Sequence, residues 1–281
     1  MHENYHKEEV EYEIKPNSNF SLGFRELWEY RELLFFFTWR DIKVKYKQAF
    51  LGILWVIIQP LLLMLVFTFI LYQGLSLETE GMPYPVFALS GLIIWNIFSG
   101  SLSNTAESMI THANIIKKIY FPRMVIPLSA ILTALFDFLS PFMVYLVLII
   151  WYQIQIQWTC FFLFLPLGIL ICCIASFGLG TLLGALNVKY RDFRYIIPFL
   201  IQFLFFLSPI IYSNDTLKVD WLRYFILFNP ITASLELFRS PFLAEGINWA
   251  SVGGGTIAAL VLLIAGVYIF RKTERFFSDL V

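Results

Sequence analysis

Six almost unbroken apolar stretches divide the chain, at 51–72, 86–102, 124–152, 158–186, 196–212 and 252–270. Each is continuously apolar rather than alternating, so the pattern predicts helices and not the strands of a barrel. A helix that crosses a bilayer needs about 20 mostly apolar residues. The second and fifth runs sit at the short end of that range, while the third and fourth have length to spare for tilting or for reaching into the interface.

The polar positions between the runs are not alike. Lys and Arg number eight before the first run, three in 103–123, three in 187–195 and three after the last run. Segments 73–85 and 153–157 hold none, and 213–251 holds three against four acids. With both ends cytoplasmic, seventeen of the twenty basic residues fall on one side, as the positive-inside rule asks. The expected fold is therefore an all-α integral membrane protein with six transmembrane helices, N-in and C-in. Residues 1–20 are expected to form a disordered acidic tail, 21–50 a cytoplasmic interfacial amphipathic helix, 51–271 the six-helix membrane domain and 272–281 a cytoplasmic tail.

Three stretches outside the runs have a character of their own. In the first, Phe24, Leu27, Leu34 and Phe35 share a broad side of a helical wheel, and Arg25, Glu29 and Glu32 share another. The basic end of that helix, Arg40, Lys43, Lys45 and Lys47, suits an anionic leaflet; a soluble helix in a cytoplasmic cap is the alternative. In the second, HANIIKKIYFPRM at 112–124, Lys117, Lys118 and Arg123 are set among Ile115, Ile116, Tyr120 and Phe121. A plain loop has no use for so many bulky apolar groups. The third, 213–251, is too long and apolar for a simple external loop. In it Pro230 and Pro241 bracket ten residues, too short to span but fit for a re-entrant or interfacial helix on which Glu236 and Arg239 can pair. That segment, with Trp221, Asn229 and Pro230, has the makings of a pore mouth or lid.

Composition sharpens the class. Charged residues are 14% and hydrophobic residues 59% of the chain, and the mean hydropathy is +0.72, far from a soluble domain's roughly 25% charged. No apolar stretch in the first fifteen residues marks a cleavable signal peptide. Cys160, Cys172 and Cys173 lie in or beside apolar runs without metal-ligand spacing and read as small packing residues. His2, His6 and His112 all lie outside the runs, and no nucleotide-binding GxxxxGK[ST], HExxH or GxSxG is present. Neither catalysis nor a metal site is expected. Asp137 is the one carboxylate deep in a run, either an ion site or a hydrogen-bond partner between helices. Ser176, Gly180 and Gly184 form a small-residue stripe that lets helices approach closely. Aromatic residues reach 19%, including 30 Phe. Their flat faces can stack on sugar rings as well as pack against lipid.

In this order the features resemble one family. DIKVKYKQAFLGILWVIIQPLLLMLVFTFI at 41–70, NIIKKIYFPRMVIPLSA at 114–130, LNVKYRDFRYIIPFLIQFLFFLSPIIY at 186–212 and FNPITASLELFR at 228–239 are similar to permease subunits of type-2 ABC exporters, in the branch that exports polysaccharides and teichoic acids. The resemblance runs from about residue 22 to the C-terminus. His112 stands where that branch carries a polar amide. The resemblance implies a bacterial cytoplasmic (inner) membrane protein, multi-pass, that works as a second copy beside the first with two ATPase (nucleotide-binding) subunits. ATP and Mg would be bound by those subunits and no cofactor by this chain; no nucleic acid is involved.

It also assigns roles. The 112–124 knob becomes a coupling helix to the ATPase, using Asn114, Ile115, Ile116, Lys117, Lys118, Tyr120, Phe121 and Arg123. Gln59, Tyr72, Trp95, Phe98, Gln202 and Phe203 become candidates for lining a conduit between two copies. Arg40, Lys43, Lys45 and Lys47 become candidates for holding the diphosphate of a lipid-linked glycan, and 213–251 an external gate. The implied substrate is a lipid-linked polysaccharide, O-antigen first, with wall teichoic acid or another glycopolymer next. A drug or small-lipid exporter of the same type, and an ion-coupled carrier built on Asp137, are the readings from other classes.

Overall fold

The computed structural model describes residues 24–47, 52–73, 81–190, 192–213, 220–243 and 246–274. The acidic tail 1–20, residues 275–281 and parts of the 73–85 and 213–251 segments lie outside the described residues. Within them every regular element is a helix. The chain opens with α1 (Phe24–Glu29) and α2 (Arg31–Lys47), then α3 (Ile53–Phe67), which continues into a wider π turn at Thr68–Gln73. Next come α4 (Tyr84–Thr111), the single turn α5 (Ala113–Ile116), α6 (Val125–Trp151) and α7 (Trp158–Lys189). The last third holds α8 (Phe193–Leu207), α9 (Asp220–Leu227), α10 (Pro230–Arg239) and α11 (Trp249–Glu274).

Five helices are long and apolar enough to cross a membrane: Leu54–Leu71, Tyr84–Thr111, Val125–Trp151, Trp158–Lys189 and Trp249–Glu274. Four of them outrun or closely match their apolar stretches. The second, expected to be short, is 28 residues long, because the helix continues past its apolar part through SNTAES and ends only at His112. The fifth run departs from expectation. Its helix, α8, has 15 residues and at 1.5 Å per residue reaches about 22 Å, short of a roughly 30 Å hydrocarbon layer. Ser208 turns extended before Pro209, whose ring disfavours helix in the residue ahead of it and which has no N–H to continue the ladder.

Helix α7 is the axis of the fold, lying against α4, α11 and α10. Small residues permit this closeness. A Cβ on Gly266 of α11 would fall 2.0 Å from the Gly178 carbonyl oxygen of α7. On the other side of α7, Gly180 meets Thr105 and Gly184 meets Ala106 of α4. The Gly180/Gly184 stripe thus has its partner in α4, while the Gly178–Gly266 crossing follows from no simple spacing in the sequence.

The buried apolar residues form two clusters. The larger joins α3, α4, α6, α7, α8, α10 and the first half of α11, with Phe87, Phe98, Tyr145 and Phe238 among its fully buried side chains. The smaller sits at the other end of the long helices. It gathers Phe37 of α2, Met109, Ile116, Phe121, Val125 and Phe270. The basic 112–124 stretch belongs to this smaller cluster, and α10 to the larger.

Candidate functional site

At the basic end, α2 does not stand apart from the bundle. Phe37 packs against Phe121 and edge-on against His112, and Tyr46 packs against Phe136, so α2 runs alongside the first half of α6 in the same direction. Leu27, Tyr30, Leu33, Leu34 and Phe37 form the inward stripe, whereas Phe35, expected on the apolar side, faces out and stacks on Trp39. With Trp28 these exposed rings make an aromatic strip flanked by Arg31 and Lys43, each lying over an indole.

Two charge clusters fasten α2. Arg40 Nη2 donates to Asp41 Oδ1 at 2.7 Å and contacts His112 Nε2, which itself lies 3.7 Å from Asp41. The other ring nitrogen of His112 is 2.8 Å from the Ser108 carbonyl, so the imidazole closes the end of α4 while touching α2. Burial pushes the Asp41 carboxyl up, but His112 and Arg40 beside it outweigh that and hold the group below its ordinary value. Further along, Asp137 of α6 accepts from Lys45 Nζ at 2.5 Å and from the Tyr46 hydroxyl. Burial first, and then the bond to Asp137, raises the Tyr46 phenol well above its usual range. Of the four basic residues singled out on α2, Arg40 and Lys45 are engaged by carboxylates, Lys43 covers Trp39, and Lys47 is exposed.

The knob folds as one helical turn, Ala113–Ile116, followed by turns and an extended stretch. Ile116 and Phe121 turn inward and are buried, leaving Asn114, Lys117, Lys118, Ile119 and Tyr120 exposed. The residues from Ile116 to Phe121, together with Arg123, line a cup of about 210 Å³. Ile119, exposed on its rim, was not singled out from sequence. Arg123 is tied to the end of α11: its backbone N–H donates to Glu274 Oε1 at 3.2 Å and its guanidinium donates to the Glu274 carbonyl.

At the opposite end, α10 clasps the place where α8 breaks off. Asn229 caps α10 by accepting from Ile231 N–H at 2.9 Å, and Pro230 occupies the first turn, where its missing N–H does no harm. The same Asn229 donates to Ser208 Oγ at 2.9 Å. Ten residues on, buried Arg239 donates to the Ile210 carbonyl at 2.9 Å, to the Pro209 carbonyl at 3.4 Å and to Ser90 Oγ at 2.9 Å. Its guanidinium lies 3.7 Å from the Phe87 ring centre. Tyr84 donates to the Ile211 carbonyl at 2.9 Å. Gly91 permits the approach, for a Cβ there would meet the Ile210 oxygen at 2.1 Å. The carbonyls of the stretch just past α8, Pro209 to Ile211, are thus taken by side chains of α4 and α10. Glu236 is half-buried on the same helix, and the Trp221 side chain lies outside the described residues.

The conduit candidates separate. Gln59 of α3 and Gln202 and Phe203 of α8 lie on exposed faces. Trp95 and Phe98 do not: both are buried, packed on each other and, through Trp95, on Phe205 of α8. Their ring faces are consumed by packing between α4 and α8, which apolar periodicity alone does not separate from a lining role. The Tyr72 side chain lies outside the described residues.

Comparison with known proteins gives a consistent result. The family profile described as ABC-2 type transporter matches residues 32–243. The O-antigen export system permease protein RfbA of Klebsiella pneumoniae is 30% identical over 253 residues, 89% of this chain and 95% of the relative. Its namesake in Myxococcus xanthus is 30% identical over 262 residues, 91% of this chain and 97% of the relative. The polysialic acid transport protein KpsM of Escherichia coli is 29% identical over 247 residues, 84% of this chain and 91% of the relative.

Proposed function

The chain belongs to the ABC-2 type transporter family, and on that premise we propose that it is the membrane subunit of an ATP-driven exporter that moves a lipid-linked polysaccharide, O-antigen foremost, across the bacterial inner membrane. The observation that carries this reading is the similarity to O-antigen export permeases along nine-tenths of the chain. No catalytic role falls to the chain itself; ATP and Mg are handled by two separate ATPase subunits.

The rest of the arrangement follows from charge and shape. Both termini and the basic end are cytoplasmic, since seventeen of twenty Lys and Arg then share one side. The remaining crossing, fifth in chain order, is made by α8 together with residues 208–213 beyond its break, and α9 and α10 fold back as a re-entrant external segment. The knob is the contact for the ATPase: Tyr120 and Ile119 are the protruding apolar anchors, and Lys117 and Lys118 meet an acidic rim. Because Ile116, Phe121 and Arg123 bind the knob to α2, α6 and α11, a push on it is transmitted to all three helices. A second copy of the chain closes a conduit against the exposed faces of α3 and α8, where Gln59, Gln202 and Phe203 lie. The basic end of α2 takes the diphosphate of the lipid carrier. An ion-coupled carrier built on Asp137 is disfavoured, because its carboxylate is already engaged by Lys45 and Tyr46.

Depleting the protein in its host tests the reading. Full-length polymer accumulating on its lipid carrier inside the cell, with the surface bare, is expected. An unchanged surface with no trapped polymer, in a strain without a second exporter, would overturn it.

A further inference from the structure

We propose that Asp137 is an internal stand-in for the anionic ligand of α2: its carboxylate occupies Lys45 in the resting chain and is displaced when a diphosphate arrives. The proposal rests on the reading that the basic end of α2 receives the diphosphate, and adds how that site is kept closed until then.

The geometry around Asp137 is that of an occupied anion site. One carboxylate oxygen lies 2.5 Å from Lys45 Nζ and the other accepts from the Tyr46 hydroxyl. A phosphate group asks for the same ammonium, whereas the Tyr46 hydroxyl serves to anchor the carboxylate. The Lys45 side chain is 46% exposed and Asp137 17%, so an incoming anion can reach the ammonium from its open side without first breaking the protein core. A diphosphate carries more negative charge than one carboxylate and offers more acceptor oxygens, so it wins the exchange when it is present. The nearby cation Arg40 is held in the same way, by Asp41 on its own helix and by His112 at the end of α4.

Displacement has a mechanical consequence. Lys45 and Tyr46 lie in the last turn of α2 and tie it to Asp137 of α6. Moving Lys45 from Asp137 to a ligand loosens that end of α2 from α6, while Phe37 keeps the other end on Phe121 and the knob. Ligand occupancy is thereby reported at the helix that carries the knob. A ligand that must first displace Asp137 binds with reduced apparent affinity, by the fraction of chains in which the lysine is free.

The test is binding of a polyprenyl diphosphate to the full-length chain in phosphatidylcholine nanodiscs, with thermal unfolding recorded for every variant. Asp137→Asn is expected to tighten binding about tenfold, the equivalent of about 1.4 kcal/mol. Tyr46→Phe, which keeps the charge and removes one anchor of the carboxylate, should tighten it roughly twofold and serves if the first variant does not accumulate. Lys45→Gln should weaken it. If Lys45→Gln weakens binding but Asp137→Asn and Tyr46→Phe leave it unchanged or weaker, the stand-in is refuted and the diphosphate site survives. If neutralising Arg40, Lys43, Lys45 and Lys47 together leaves binding unchanged, the underlying site is refuted instead. Inorganic pyrophosphate and phosphatidylglycerol nanodiscs run in parallel: the tenfold gain for pyrophosphate as well supports recognition of the diphosphate alone. A gain only with phosphatidylglycerol overturns the proposal in favour of an ordinary anionic lipid.

Discussion

Arg239 and Arg40 are the same side chain put to opposite uses at the two ends of the bundle. Arg239 is buried, with its cation shared among backbone carbonyls, Ser90 and the Phe87 ring. Arg40 is partly exposed and faces a carboxylate and an imidazole. Backbone carbonyls are fixed dipoles that cannot leave, so the α10 end is a rigid clasp. Carboxylates and ring nitrogens at a wet surface can exchange partners, so the basic end can be rearranged by a ligand or by another protein. A transporter needs both, one end that holds a helix break in place and one that responds.

The sharpest way to break this contrast is at Arg239. Arg239→Met removes the guanidinium donors to Pro209 and Ile210 at once and should destabilise the chain by about 3–5 kcal/mol, since each buried carbonyl left unpaired costs roughly 1–3. Arg239→Lys should recover only part of that, because a point charge cannot reach carbonyl, carbonyl and hydroxyl together. Thermal unfolding in detergent reads both; a Met variant as stable as the parent would show that the clasp does not hold α8. Gly91→Ala attacks the same place from α4. Its Cβ would lie 2.1 Å from Ile210 O and 2.9 Å from Arg239 Nη2, so a loss of about 1–3 kcal/mol is expected by overpacking.

At the basic end the expected losses are smaller and differ in kind. His112→Ala and Asp41→Asn should each cost about 1 kcal/mol or less, and the double variant should lose less than the two losses added, because the residues share Arg40. Raising salt from about 0.1 to 1 M, which cuts the Debye length from about 10 to 3 Å, should erase much of this difference while leaving the Arg239 variants unmoved. Equal salt sensitivity at the two ends would remove the distinction.

What the chain discloses by pattern and what it withholds divide along physical lines. The helices of the bundle are written in apolar runs long enough to need no other signal, and N-P at 229–230 marks the start of α10. The break after α8 is also written, in Ser208-Pro209, yet a continuous apolar run through Tyr212 masks it by composition. Burial within a run is harder. Trp95 and Phe203 look alike in sequence, but one is enclosed by Phe98 and Phe205 and the other is exposed, and only the packing of α4 against α8 decides. The partners of Asp137 are hardest of all. They are 91 and 92 positions away, on a helix outside the runs, and no periodicity links them. Arg239 is legible as a cation of the α10 segment, but the sequence points to Glu236 three positions away and does not reveal the Pro209 and Ile210 carbonyls that accept from it.

The smallest expected effects lie in pH and set the working range of the basic end. Burial raises the Asp41 carboxyl, and the neighbouring His112 and Arg40 lower it further than burial raises it, for a net fall below its ordinary value of about 3.9. Its contribution to stability is therefore complete above that value and is lost as pH falls through the lowered one, below about pH 4. Tyr46 behaves in the mirror sense. Burial and the bond to Asp137 raise its phenol above the ordinary value of about 10, so its contribution is complete below pH 10 and is lost only as pH rises beyond it. Unfolding followed from pH 3 to 11 should thus show two flanks with a flat stretch between, as far as these groups decide it. Asp41→Asn should flatten the acid flank alone and Tyr46→Phe the alkaline flank alone. An acid flank that persists in Asp41→Asn would mean that other groups, and not the Asp41 carboxyl held by Arg40 and His112, bind the protons that unfold the chain in acid.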